Sequence, residues 1–283
     1  MEKHLYKIAV YIETYNEERR IGFAVRSFAK FDKVFVFDKG STDKTCEIAR
    51  DAGACVYKIP YSDFSMQDVD TIRIERRVLE SSDCDWVFSG TASDVIHPAL
   101  CEEIYRQIEC EDFEVCRIPE YRYSMGFVDK RSFYGELNYK PIIAKLSAID
   151  WGNSKLHVFP VKENAIEKLI YTKDRKYAMY HLTHESFEII MERHIRYACI
   201  EAKDAVGRRN EYLDYSWKQI LKTAINYFRR GTFQLRERGK AQLSMLLIYR
   251  CTNYLRAYMS VEKEREIELE YERIRNDILK GFD

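Results

Sequence analysis

The first half of the sequence predicts an α/β fold, a mainly parallel sheet flanked by helices. Three observations predict it. Short apolar segments rich in β-branched and aromatic residues alternate with segments whose apolar residues recur at helical spacing. Polar loops follow the short segments, and no repeat of about 20–50 residues indicates a solenoid.

The predicted strands share a short length and a high apolar content: Tyr6–Ile12, Val34–Phe37, Ala54–Ile59, Asp85–Phe88 and Phe113–Ile118. The helices between them open on polar residues or proline and keep apolar residues on one face: Asn16–Lys30, Lys44–Ala52, Asp68–Ser81 and Pro98–Ile108. Because ligands of open sheets bind at the carboxyl ends of the strands, the informative loops are Glu13–Glu18, Asp38–Asp43 and Ser89–His97.

The second half has a different pattern. Residues Tyr121–Pro160 indicate loop and short strand, and the pattern is helical from His184 to the end. We therefore expect two domains, residues 1–204 with the sheet and residues 205–283 as a helical region.

Composition and charge exclude several classes of protein. The chain has 283 residues, and its 46 basic and 46 acidic side chains give no support to a nucleic-acid-binding protein. Apolar stretches such as Met245–Tyr249 are far shorter than the roughly 20 residues of a membrane-spanning helix. Met1–Lys7 lacks the apolar core of a secretory signal. The 8 cysteines form no CxxC pair, so we expect reduced thiols in a cytoplasmic protein.

Two motifs carry the strongest functional information. The first strand ends in Thr14-Tyr15-Asn16-Glu17, and the second is followed by Asp38-x-Gly40-Ser41-Thr42-Asp43-x-Thr45. In this order and at this spacing they resemble the nucleotide-sugar-dependent glycosyltransferases of family 2, which have the Rossmann-like GT-A fold. The resemblance covers about Tyr6–Tyr258, densely to Asp94. Within the family, the chain is most similar to enzymes of bacterial lipopolysaccharide-core and surface-polysaccharide synthesis.

The resemblance implies that these loops bind a nucleotide-sugar donor. The donor-binding residues that it assigns here are Thr14, Tyr15, Asn16, Glu17, Asp38, Gly40 and Ser41. Asp38 would accept hydrogen bonds from the base or ribose, and an acid directly after a buried strand has no evident packing purpose. Asp43 is interpreted either as the N-cap of the next helix or as a ligand contact.

The third landmark of the family departs from its pattern. Relatives read D-A-D-E after the fourth strand, where two Asp hold a divalent metal on the diphosphate. Here Thr91 and Ser93 stand at the two Asp positions, and Asp94 at the Glu. Hydroxyls without carboxylates are poor ligands for Mg²⁺ or Mn²⁺. We favour metal-independent catalysis over a weak metal site on Asp94 or a domain that binds without transferring, and we predict no metal ligands.

Without a metal, cationic side chains have to neutralise the leaving diphosphate. Arg73 and Arg77 share one face of their predicted helix. His181 lies in a segment similar to the end of the family's catalytic domain, and His157 matches the histidine of the family's V-H-E. We therefore add these four residues, with Thr91 and Ser93, to the donor site.

An inverting transfer also needs a base for the acceptor hydroxyl. The glutamate of V-H-E is replaced by Val158, so the candidates are Asp94, Glu136 and Asp150. Asp94 is the first choice because its motif position faces the reacting centre in relatives. A structural salt bridge is the alternative for Glu136.

Residues Trp217–Tyr258 predict a basic amphipathic hairpin, with nine Lys or Arg against Glu237 alone. Gly231 and Gly239 are expected at its turn. Such a surface suits an anionic membrane, as the resemblance to enzymes with lipid-linked acceptors also implies. The alternatives are packing on the first domain or a homodimer through these helices. The tail Val261–Asp283 predicts an exposed helix with charge pairs.

The leading hypothesis is a glycosyltransferase that moves a sugar from a nucleotide donor to a saccharide or lipid-linked acceptor of bacterial surface polysaccharide. The alternative is a non-catalytic sugar-nucleotide-binding or scaffold protein, which the lost metal motif favours. A nucleotidyltransferase would need a basic, glycine-rich loop after the first strand, and Glu13–Glu18 has neither Gly nor Lys.

Overall fold

The computed structural model describes residues 4–59, 69–152, 160–172, 174–203, 208–259 and 261–279. Its contacts divide the chain into two compact units. The first comprises Met1–Lys130 and Tyr134–Glu185, and the second comprises Arg131–Phe133 and Ser186–Asp283. The boundary expected after residue 204 thus lies inside the second unit, because the helix Phe187–Lys203 packs against a later helix of that unit.

In the described part of the chain, nine strands form one sheet: β1 (Ile8–Thr14), β2 (Lys33–Asp38), β3 (Cys55–Lys58), β4 (Trp86–Gly90), β5 (Asp94–Ile96), β6 (Val115–Ser124), β7 (Leu137–Lys145), β8 (Glu167–Leu169) and β9 (Met179–Thr183). The helices are α1 (Ile21–Ser27), α2 (Thr45–Asp51), α3 (Val69–Glu80), α4 (Pro98–Cys110), α5 (Phe187–Lys203), α6 (Arg209–Arg229), α7 (Glu237–Tyr258) and α8 (Val261–Leu279).

The sheet has a parallel half and a mixed half. Strands β3, β2, β1 and β4 lie side by side in that order and run parallel. Strand β7 follows antiparallel to both β4 and β6, β6 runs parallel to β9 and β8, and β5 closes the order antiparallel to β9. The predicted α/β fold with a mainly parallel sheet and a C-terminal helical region is confirmed.

Both faces of β1 are buried. Ile8, Val10 and Ile12 pack in one apolar cluster with residues of α1 and α4, whereas Ala9 packs in a second cluster with Leu79 of α3. This alternation follows the two-residue period of a strand. Because helices cover both faces, the strands read as continuous apolar runs, which is why they could be predicted from sequence.

Two boundaries differ from prediction for physical reasons. Helix α1 begins at Ile21 and not at Asn16, whose φ of 53° lies in the left-handed region. Gly239 lies inside α7 and not at the hairpin turn, where Gly231 has a φ of 74°. A Cβ on Gly239 would approach the carbonyl oxygen of Thr232 to 2.1 Å, so this close packing requires glycine.

In the second unit, a carboxylate joins three helices. Glu201 of α5 accepts hydrogen bonds from the hydroxyl of Tyr212 in α6 at 3.2 Å, from the amide of Asn253 in α7 at 2.5 Å and from the hydroxyl of Tyr249 in α7. Arg209 at the start of α6 donates to the carbonyl of Tyr258 at the end of α7, at 3.1 Å. These bonds fix α6 and α7 as the hairpin that the sequence predicted.

Helix α6 exposes large apolar side chains and buries polar ones. Its buried residues include Ser216 and Thr223, whereas four large apolar side chains are each 49–66% exposed: Trp217, Leu221, Ile225 and Phe228. Spacings of 4, 4 and 3 residues place these four, which we call the α6 stripe, on one face of the helix. In the described ranges, no helix combines the length and apolarity needed to cross a membrane.

Candidate functional site

The loop after β2 is built around Asp38, which is 0% exposed. Its carboxylate accepts hydrogen bonds from the backbone N–H of Gly40 at 3.2 Å and of Ser41 at 3.0 Å, and from the hydroxyls of Ser41 and Thr14. Gly40 has a φ of 90°, a conformation that favours glycine. Asp38 therefore has a structural purpose that the sequence did not reveal, which is to shape the Gly40–Ser41 turn.

The loop after β1 is tied to the loop after β2. The N–H of Asn16 donates to the hydroxyl of Ser41 at 2.8 Å, and the Asn16 side-chain oxygen accepts from the N–H of Thr42 at 2.9 Å. The N–H of Glu17 donates to the hydroxyl of Thr45 at 2.7 Å. The two sequence motifs thus form one surface at the carboxyl edge of the parallel strands.

Asp43 acts as a cap. Its carboxylate accepts from the N–H of Thr45, in the first turn of α2, at 3.0 Å and from the N–H of Glu18 at 3.2 Å. These bonds satisfy backbone donors at a helix start. The capping interpretation of Asp43 accounts for its contacts.

Arg20 connects this surface to the loop after β4. Its Nε donates to the carboxylate of Glu17 at 2.8 Å, and its Nη1 donates to the hydroxyl of Ser93 at 2.8 Å. Arg20 is 7% exposed, so the ion pair with Glu17 is shielded from water. Sequence reasoning missed Arg20. The only signal was its place directly after the Asn16–Arg19 segment, because Ser93 is 73 residues away.

The loop after β4 is organised by Asp94, which is 2% exposed. Oδ2 accepts from the N–H of Thr91 at 2.8 Å and from its hydroxyl at 2.9 Å, and Oδ1 is 2.6 Å from Nδ1 of His181 on β9. Burial raises the pKa of Asp94. The charge and hydrogen bond of His181, with smaller effects of Lys140 and Thr91, outweigh burial and hold that pKa below its ordinary value.

A second buried carboxylate lies on the same face of the mixed half. Glu120 of β6 is 0% exposed and pairs with Lys140 of β7 at 2.7 Å and with Arg122 at 2.9 Å. Arg122 is the register partner of His181, as is Asp94 on the other side. These side chains form a charge-balanced row across β5, β9, β6 and β7 that was not predicted, because β7 and β9 were not recognised as strands.

Another group of charged side chains lies around Glu13 of β1. Lys39 pairs with Glu13 at 2.6 Å, and Glu75 of α3 is 4% exposed beside them. Burial, and then the charge and hydrogen bond of Glu13, raise the pKa of Glu75 well above its usual range. Burial and the neighbouring carboxylate of Glu13 thus both disfavour the charged form of Glu75.

The remaining predicted residues lie elsewhere on the chain. Arg73 and Arg77 are exposed on α3. Glu136 lies 3.6 Å from Arg175 in an exposed ion pair, the structural alternative named for it, and Asp150 accepts from the N–H of Gly152 at 3.2 Å. His157 lies outside the described residues. The structure brings together the residues of the three strand-end loops and His181.

The fit of a divalent metal can be judged from the donors present. Thr91 and Ser93 supply only hydroxyls, and both carboxylate oxygens of Asp94 already accept from protein donors. In the described part of the chain, no three His, Cys, Asp or Glu side chains are grouped to hold a metal ion. These residues do not fit a divalent metal site built on carboxylates.

No family model matches the chain. Among curated proteins, a segment of 60 residues is 40% identical to Protein RfbJ of Shigella flexneri. This segment is 20% of the chain and spans 46% of that relative's length.

Solved structures give low structural similarity. Glucosyl-3-phosphoglycerate synthase from Mycobacterium tuberculosis, in complex with Mn²⁺, UDP and glucosyl-3-phosphoglycerate, is 18% identical, with 51% of this chain and 58% of that chain covered and a TM-score of 0.36. A mycobacterial protein is 16% identical over 71% of this chain and 74% of that one, with a TM-score of 0.41. The fold therefore rests on the strand order and register described above.

Proposed function

We propose that the chain is a family 2 glycosyltransferase of the GT-A type that moves a sugar from a nucleotide-sugar donor to a saccharide acceptor. One observation carries the proposal. The two resembling motifs and the loop after β4 are joined by hydrogen bonds from Thr45 through Glu17 and Arg20 to Ser93. This edge is where open α/β sheets bind ligands.

The donor's nucleotide is proposed to bind the loops after β1 and β2. The half-buried Tyr15 and the Gly40–Ser41 turn line this surface, and the buried Thr14 supports it by donating its hydroxyl to Asp38. Asp38 supports binding by holding the turn in place, since its oxygens already accept four hydrogen bonds. A base or ribose contact to Asp38 requires that one of these donors give way.

The diphosphate is proposed to be neutralised without a metal, by Arg73 or Arg77 with help from the loop after β4. The supporting observation is the donor set. Thr91 and Ser93 offer hydroxyl groups that can hydrogen-bond phosphate oxygens, whereas hard divalent cations prefer carboxylate oxygen. The acceptor is proposed to be a saccharide or lipid-linked saccharide of bacterial surface polysaccharide.

The test is a transfer assay. Purified protein is incubated with UDP-, GDP- and dTDP-linked hexoses and a saccharide acceptor, and both nucleoside diphosphate release and glycosylated product are measured. We expect product with one donor class. Nucleotide binding without product from any donor would favour the alternative, a sugar-nucleotide-binding protein whose lost metal motif marks lost catalysis.

The α6 stripe is proposed to dock on an anionic membrane where a lipid-linked acceptor lies. Lys218, Lys222 and Arg229 flank the stripe along one side of the helix, so an apolar face and a positive face adjoin. Basic residues near an anionic leaflet contribute about 1 kcal/mol each. On this proposal the protein binds peripherally at the inner face of the membrane.

Vesicle sedimentation tests the membrane proposal. We expect binding to phosphatidylglycerol vesicles but not phosphatidylcholine vesicles, and loss of binding at 1 M salt, where the Debye length is about 3 Å. Ile225→Ser should weaken binding, whereas Leu269→Ser, which replaces an equally exposed residue of α8, should not. Equal recovery with both lipids overturns the proposal, and a concentration-dependent dimer in ultracentrifugation would assign the stripe to a second copy.

A further inference from the structure

Asp94, the first candidate for the base, has no free face in the structure. One carboxylate oxygen accepts from Nδ1 of His181, and the other accepts from the N–H and the hydroxyl of Thr91. The side chain is 3% exposed, so an incoming hydroxyl cannot reach it without breaking these bonds. A base has to lie within hydrogen-bond reach of the proton that it removes.

His181 has the opposite arrangement. Its side chain is 17% exposed, and Nδ1 is held by Asp94 at 2.6 Å. A carboxylate offers only lone pairs, so Nδ1 carries the proton and the neutral ring has its acceptor lone pair on Nε2. Within the described residues Nε2 has no hydrogen-bond partner. The second nitrogen of a carboxylate-bound imidazole is therefore free to take a proton.

The ring is fixed beside the proposed donor surface. Strand β5, which carries Asp94, directly follows the loop of Thr91 and Ser93. The backbone N–H of Leu182 donates to the carbonyl of Ser93 at 2.8 Å, so β9 is also bound to that loop. Asp94 and Leu182 thus hold His181 at the edge where Arg20 reaches Ser93.

We propose that His181 is the catalytic base of the sugar transfer, taking the acceptor proton on Nε2, and that Asp94 is the positioning residue that holds its ring. This inference rests on the proposed function. The acceptor O–H bond breaks and its proton goes to Nε2. The oxygen forms a bond to the anomeric carbon, and the bond from that carbon to the diphosphate oxygen breaks, the nucleoside diphosphate leaving with the electron pair.

The charges around His181 support this reaction. A single displacement of this kind inverts the anomeric centre. The imidazolium formed on His181 lies against the carboxylate of Asp94, which stabilises it, and the low pKa of Asp94 keeps that carboxylate ionised. From the neighbouring strands, Arg122 and Lys140 face the same row and are balanced by Glu120.

The test compares His181→Gln with His184→Gln, a change three residues away at a histidine that hydrogen-bonds Ser124 at 2.9 Å. For His181→Gln we expect kcat to fall by about 10²–10⁴-fold, with unchanged donor KM and unchanged binding of UDP, GDP or dTDP. The acid-side fall of the pH–rate profile should disappear. His184→Gln should keep both kcat and that profile.

Two further variants keep the test decisive. Asp94→Asn should retain nucleotide binding and donor KM but lower kcat, because the imidazolium loses its negative partner. His181→Ala should be rescued in part by added imidazole, provided that its thermal melt shows a folded protein. Wild-type-like kcat in His181→Gln overturns the inference alone. Weaker diphosphate binding assigns His181 to the donor instead, and no transfer by wild-type protein overturns the proposed function.

Discussion

The loop after β2 and the loop after β4 each contain a buried aspartate, and the two carboxylates are used differently. Asp38 accepts from Thr14 and from its own turn at Gly40 and Ser41. One carboxylate oxygen of Asp94 accepts from Thr91 in its own loop, and the other bonds to His181 on β9, which is distant in sequence. One aspartate fixes backbone, and the other fixes a titratable ring.

This difference separates two tasks at one edge of the sheet. A surface that recognises a nucleotide needs backbone donors held in place, which the Asp38 loop supplies. A reacting centre needs a side chain whose proton can move, which the Asp94 loop supplies through His181. The two loops are connected through Arg20, so the first prediction concerns that connection.

Arg20→Leu should have the largest effect, lowering the free energy of unfolding by about 3–5 kcal/mol. Removing Arg20 takes a buried cation away from the Glu17 carboxylate, which is 15% exposed, and removes the donor to the Ser93 hydroxyl. Urea denaturation measures the change. The control is Arg106→Leu, which breaks an Arg–Glu pair of the same spacing in α4 whose arginine is 59% exposed. We expect a much smaller loss there, because the pair is exposed to solvent, and equal losses would show that Arg20 does not connect the loops.

Asp38→Ala should come next, with nucleotide affinity reduced by about 100-fold, or about 2.8 kcal/mol. The turn loses the acceptor that holds Gly40 and Ser41, so its backbone no longer presents a fixed surface. Calorimetry with UDP, GDP and dTDP measures this. The buried donors left without partners also lower stability, so binding is measured below the melting temperature of the variant.

Asp43→Ala is the matched control for Asp38→Ala. It removes a carboxylate of the same loop that caps α2, which costs about 1 kcal/mol of stability. Its nucleotide affinity should stay within threefold of wild type, a window of about 0.7 kcal/mol. An equal loss of affinity in both variants would mean that the whole loop, and not the Asp38 carboxylate, determines binding.

Asp94→Asn should cost about 1.5–3 kcal/mol of stability at pH 7, the usual range for hydrogen bonds to a charged group. Because the folded state lowers the pKa of Asp94, its contribution is present above the unfolded pKa of about 3.9 and is lost as pH falls through the folded pKa. The unfolding free energies of wild type and variant should therefore converge below about pH 4. A gap that does not change between pH 6 and pH 3 would contradict this assignment.

The sequence predicted the parallel half of the sheet and the loops after β1 and β2. The apolar runs of β1, β2 and β4 are buried on both faces, and the motifs after β1 and β2 lie within about thirty residues of each other. Of the mixed half, the first part of β6 was predicted as the strand Phe113–Ile118, whereas β7 and β9 were not. In strand β7 the consecutive residues Tyr139, Lys140 and Pro141 interrupt the apolar pattern, so the segment resembles a loop.

The site contacts that were not predicted join residues that are far apart in the sequence. His181 was predicted as a diphosphate contact, but its bond to Asp94 joins positions 87 residues apart. Arg20 and Ser93 are 73 residues apart. Such pairs depend on which strands become neighbours, and that order is not encoded in any local motif. For Asp38 the motif was visible, but its four protein donors were not.

The smallest expected effect concerns metal, and it tests whether the Asp94 loop is a reacting centre or a degraded metal site. If transfer occurs, adding EDTA should reduce kcat by less than about tenfold, or about 1.4 kcal/mol of barrier. The reason is that Thr91 and Ser93 offer no charged oxygen, and Asp94 already accepts from His181 and Thr91. Asp94→Asn should then cost far more activity than chelation does. If EDTA abolishes transfer and Mn²⁺ restores it, Asp94 has to leave His181 to bind the ion, and the contrast between the two loops fails at its central point.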